Sequence, residues 1–81
     1  MGKYTIREDW PVDLKVAAGD VIRAKLARKW RKHKMMTCMT VNQYRAEVDY
    51  YMTADHILRQ RKAYFDDLYL KFQEAGEVTP R

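Results

Sequence analysis

The sequence predicts an all-α fold, a small bundle of three to four helices with one long C-terminal helix. Three observations predict it. From Val41 to Phe72, apolar residues recur in steps of three and four, the spacing that lines up one helix face. Ala18, Ile22, Leu26 and Trp30 recur every four residues with Val21 beside them. Start and stop signals bracket these runs, with Thr40 and Gln43 at one boundary and Gly76 at another.

Residues 1–81 are read as one helical domain with an irregular segment at 1–10, containing a short extended piece at Tyr4-Thr5-Ile6, and a frayed tail at 77–81. Asp9 is placed to cap a short first helix that Pro11 opens, because a proline N–H is not needed in a first turn. Gly19 reads as its stop and Asp20 as the N-cap of the next helix. That second helix runs from Val21 to about Met36. Met35 to Thr40 is the connector, and Thr40-Val41-Asn42-Gln43 matches a capping box.

The last pattern, Val41 to Ala75, contains a seam of Val41, Tyr44, Val48, Tyr51, Asp55, Leu58, Lys62, Phe65, Tyr69 and Phe72. A second stripe of Ala54, Ile57, Tyr64 and Leu68 runs beside it. Asp55 and Lys62 mark where the first stripe leaves the core, or else fix its register. One helix of this length would reach about 52 Å, whereas a compact chain of this size is only ~30 Å across. The mismatch favours a break near Met52-Thr53, capped by Thr53 or Asp55. An unbroken helix would have to pack its excess length on a second copy.

Charge is the sharpest functional signal. Of the net +5, residues 21–45 hold eight basic side chains and no acid, whereas the flanking segments are slightly acidic. Arg23, Lys25, Arg28, Lys29, Arg31, Lys32 and Lys34 fall within twelve residues, with Trp30 and His33 between them. Phosphate backbones reward such a cluster, because each neutralised phosphate releases condensed counterions, and Trp30 offers a stacking surface. The same field would steer the helix onto an acidic protein surface. A solvated face that merely aids solubility usually mixes both signs.

Catalytic and metal chemistry have little to work with. The chain has no serine, one cysteine (Cys38), two histidines (His33 and His56) and three isolated glycines. Adjacent Asp55-His56 and Asp66-Asp67 diverge by ~100° on a helix and cannot close one site. No cofactor, metal or small-molecule substrate is expected, and no enzyme activity. No apolar run approaches the ~20 residues that span a bilayer, and the lone thiol suits a reducing cytoplasm.

Asn42, Gln43 and Arg45 are residue types that read base edges, which would make Val41-Asn42-Gln43-Tyr44-Arg45 the start of a recognition helix. The preceding turn is long and has no glycine, and Glu47 and Asp49 follow. Capping is the simpler reading. Tyr44, Tyr51, Tyr64 and Tyr69 lie on several faces of the long helix and are assigned to a protein interface, where tyrosine is enriched.

Tyr50-Tyr51-Met52-Thr53-Ala54-Asp55-His56 resembles a segment of the Hha family, small helical bacterial proteins that modulate nucleoid-associated repressors. It covers seven of 81 residues, and the basic helix departs from that family's pattern.

The leading expectation is a basic, non-enzymatic regulatory or accessory protein. It would contact nucleic acid, or an acidic protein that handles nucleic acid, through Arg23, Lys25, Arg28, Lys29, Trp30, Arg31, Lys32, Lys34 and Arg45. One alternative is a phage-type inhibitor or adaptor docking on a host enzyme through the Tyr-rich long helix. The other is a self-assembling coiled-coil component, a homodimer being the simplest form.

Overall fold

The computed structural model describes residues 4–78. Two helices account for most of it: α1 (Val12–Met36) and α2 (Val41–Glu74), joined by residues 37–40 into an antiparallel hairpin. Among the described residues there is no strand, and Tyr4-Thr5-Ile6 forms none. The all-α class holds, but two helices replace the expected three to four.

The sequence places an extra boundary at Gly19 and Asp20, which instead lie inside α1. Glycine weakens a helix interior by only about 1 kcal/mol relative to alanine. Burial of Leu14, Ala17, Ala18, Val21 and Ala24 runs straight through this point and outweighs that cost. Asp20 is not a cap; its carboxylate accepts a 2.6 Å hydrogen bond from Arg23 one turn later. Nor does Asp9 cap α1, whose N-cap is Pro11 (φ −56°, ψ 152°) with no side-chain cap bond.

The buried stripe of α1 is also not the one that steps of four suggested. Four residues turn a helix through about 400°, so each step drifts 40°. Ala18 is buried, but Ile22, Leu26 and Trp30 are 37%, 62% and 53% exposed. They rotate progressively onto the outer face.

α2 is continuous, with no break near residue 53. Thr53 donates its hydroxyl to the Asp49 carbonyl, so it back-bonds within the helix instead of starting a new one. The molecule accommodates that length by abandoning compactness. It measures 53 × 19 × 18 Å with a radius of gyration of 16.0 Å, against roughly 12 Å for a compact chain of this length.

Apolar burial is concentrated at the base, away from the connector. Phe65 (1% exposed) is ringed by Tyr4, Trp10 and Tyr69 at centroid distances of 5.1, 5.7 and 5.8 Å. Leu14, Ala17, Ala18, Val21, Leu58 and Val78 complete this core, with Leu68 and Phe72 packed against it. Residues 4–10 thus act as a strap that brings Tyr4 and Trp10 over α2. The C-terminal end closes similarly. Gly76 takes φ 78°, Gly76 N–H donates to the Gln73 carbonyl and Glu77 N–H to that of Phe72. This is a Schellman stop, and it returns Val78 to the core.

Between Ala24 and Leu58, no large hydrophobic side chain is buried among the described residues. The connector half of the hairpin is held otherwise. Thr40 accepts from Gln43 N–H at 3.1 Å, half of the capping box. Gln43 in turn accepts from Met39 N–H, not from that of Thr40.

Paired substitutions test this division. Leu14→Ala should cost about 2–5 kcal/mol, whereas Leu26→Ala on the outer face should cost less than about 1. Gly19→Ala, whose new Cβ meets only the Arg23 guanidinium at 3.8 Å, should add roughly 0.5–1 kcal/mol. Gly76→Ala should remove about 1–2 because of its positive φ. Urea unfolding followed by circular dichroism measures all four.

Candidate polyanion-binding groove

The two long sides of a helix hairpin are independent surfaces, and here they differ in chemistry. On one side Lys25, Arg28, Lys29 and Lys32 of α1 fall at helical spacing, and Lys62 of α2 reaches the same place. Together with Leu58 they line an open groove of about 280 Å³ that has no carboxylate in its walls. Lys25, Lys29, Lys32 and Lys62 have no ion-pair partner among the described residues. Lys25 lies 4.8 Å from the Tyr4 ring centroid, which leaves its charge uncancelled.

Arg28 anchors the groove to α2. Its Nε stands 2.9 Å from Asp55 Oδ1, although that N–H is not aimed well enough to bond. The aligned bond runs from Arg28 Nη2 to the Tyr51 hydroxyl at 3.0 Å. Asp55 also holds Arg59 at 3.0 Å. Asp55 is therefore an interhelical register point, the second of the two roles open to it.

The remaining cations are distributed elsewhere. Arg23 is paired with Asp20. Arg31 turns to the opposite side, 3.8 Å from Glu47 and 4.8 and 4.7 Å from the rings of Trp30 and Tyr50. Lys34 Nζ also lies over the Trp30 ring, 4.5 Å from its centroid. Arg45 is exposed on α2 beside Tyr44, Val48 and Asp49. The structure thus gathers Lys25, Arg28, Lys29 and Lys32 into one site and leaves Arg23, Trp30, Arg31, Lys34 and Arg45 outside it. Lys62 joins that site from α2. Its position in the apolar seam was visible in sequence, but its proximity to the α1 lysines needs the hairpin register.

Of the interface tyrosines, Tyr44 and Tyr64 are exposed. Tyr51 is half-buried under Arg28, and Tyr69 packs on Trp10 and Phe65. Among the described residues, no three histidine, cysteine or acidic groups converge as metal ligands, and no helix is long and apolar enough to cross a membrane.

No family model matches this chain, and no curated protein or solved structure is significantly similar to it. The likeness at residues 50–56 is thus confined to those seven positions, two of which, Tyr51 and Asp55, serve the Arg28 contact.

Removing Asp55 should release Arg28 and loosen the middle of the hairpin. Asp55→Ala is expected to cost about 1–2 kcal/mol, above the range of an exposed pair because the carboxylate is largely shielded. Arg59→Ala, whose side chain is 79% exposed, should cost under about 0.5. Thermal unfolding of the two variants side by side gives the comparison.

Proposed function

We propose that this protein is a non-enzymatic regulatory or accessory protein that binds nucleic acid along the phosphate backbone, using the groove of Lys25, Arg28, Lys29, Lys32 and Lys62. The reading rests on one observation: Lys25, Lys29, Lys32 and Lys62, from both helices and without ion-pair partners among the described residues, converge around an Arg28 held by Asp55. Lysines are compact charges on flexible stems, suited to phosphates at variable positions and not to a fixed base edge. Binding is accordingly sequence-independent. The groove is open and shallow, so it accommodates a polymer backbone better than it encloses a small molecule. The single, half-buried thiol of Cys38 suits work in a reducing cytoplasm.

An acidic face on a nucleic-acid-handling protein offers the same charge and is the alternative occupant. Docking on a host enzyme through the tyrosines of α2 has less support, since Tyr51 and Tyr69 are engaged internally.

Titration with random duplex DNA at 20–300 mM salt tests the reading. Five phosphate contacts give a log–log slope of about −4 to −5. The exposed pair Lys29→Ala and Lys32→Ala together should flatten that slope by about 2 with unchanged helicity. Arg45→Gln, beyond the groove, should leave it as it was. Absence of binding at 20 mM salt, or a slope indifferent to the lysine pair, would refute phosphate binding and leave the acidic protein as occupant.

A further inference from the structure

The side of the hairpin opposite the basic groove has its own regular construction. From α1 it takes Asp13, Val16, Ala17, Asp20, Ala24, Ala27 and Arg31; from α2, Tyr50, Thr53, Ala54, Ile57, Arg61 and Tyr64. Apart from the adjacent pairs Val16-Ala17 and Thr53-Ala54, both sets advance in steps of three and four, the spacing of a helix-packing seam. Val16, Tyr50, Ile57 and Tyr64 on this side are 40–60% exposed. Each helix therefore carries a second, partly exposed row about a quarter-turn from the buried one, which it meets on α1 at the buried Ala17 and Ala24.

We infer that this side is covered by a second copy of the chain, packed face to face and antiparallel as a four-helix bundle. Three features identify that occupant. First, the seam is symmetric under end-to-end reversal. Tyr50 and Tyr64 lie seven residues on either side of Ile57, so a two-fold axis at Ile57 sets Ile57 on Ile57 and each Tyr50 over a Tyr64. Self-complementarity of this kind is what an isologous interface requires.

Second, charge follows the same axis. Ala24 is level with Ile57 in the hairpin, both lining one groove. About an axis there, Arg31 of one copy comes level with Ala17 of the other, one turn from both Asp13 and Asp20. Asp13 has no ion-pair partner among the described residues. Arg61 comes level with Thr53, so no like charges oppose one another. Ala17, Ala24 and Ala27 keep the facing α1 helices free of bulk.

Third, the surface available is of the right size. The chain exposes 6174 Å², about 1,000 Å² more than a compact monomer of its mass. One partner contributes about 800 Å² to a standard interface. The two basic grooves would then face outward on opposite sides of the bundle, where the pairing leaves them open.

Sedimentation equilibrium of the full chain, without nucleic acid, at 5–200 µM tests the inference. The expected species is twice the 9.7 kDa chain mass. Ile57→Glu should return it to 9.7 kDa with helicity retained, because that side chain is already 40% exposed in one copy. Asp13→Arg and Arg31→Asp should each weaken association at least tenfold, and the double variant should recover most of the loss. A wild-type chain that stays at 9.7 kDa throughout, or a dimer indifferent to Ile57→Glu, overturns the assignment. So does a double variant no better than its parents, which would rule out the antiparallel register. None of these outcomes bears on the groove, whose test is binding and salt dependence.

Discussion

Burial of Phe65 among Tyr4, Trp10 and Tyr69 is the contact on which the remaining structure depends. Two helices alone enclose very little, since each can turn only one stripe toward the other. Here the chain recruits its non-helical ends to close the gap. The strap ahead of α1 supplies two large rings, and the turn after Gly76 supplies Val78. Aromatic side chains bury 150–250 Å² each and gain further from tilted and edge contacts, so four of them make a small core effective.

Beyond that core the hairpin changes its mode of cohesion. Past Ala24 and Leu58, Arg28 reaches Asp55 and Tyr51, and Arg31 lies among Glu47, Trp30 and Tyr50. These polar contacts specify register well but stabilise weakly, because partly solvated ion pairs gain little over their hydrated forms. The same arginines separate the two sides of the molecule. One side carries a groove lined by lysines and Arg28, the other an apolar row punctuated by charges.

Much of this was legible in the residues, and the rest failed for definable reasons. The Thr40 cap on Gln43 N–H, the stop at Gly76 and the inward positions of Leu58 and Phe65 follow from local chemistry that no tertiary contact overrides. Gly19 misled because one glycine cannot end a helix whose buried stripe continues past it. The row of Ile22, Leu26 and Trp30 misled because steps of four drift around a helix, while the true stripe alternates three and four through small alanines that look unremarkable. The supposed break at residue 53 came from assuming compactness. Of the basic block, its location on one helix was readable. Which lysines share a side, and that Lys62 joins them, depends on a register fixed by Arg28 and Asp55.

The unequal anchoring of the two ends has a mechanical consequence. The arms are tied covalently at the connector and by aromatic packing at the base, so the span between, held by partly exposed ion pairs, is the most compliant part of the rod. Slight bowing of the two helices there would strain only those pairs and leave the Phe65 cluster untouched.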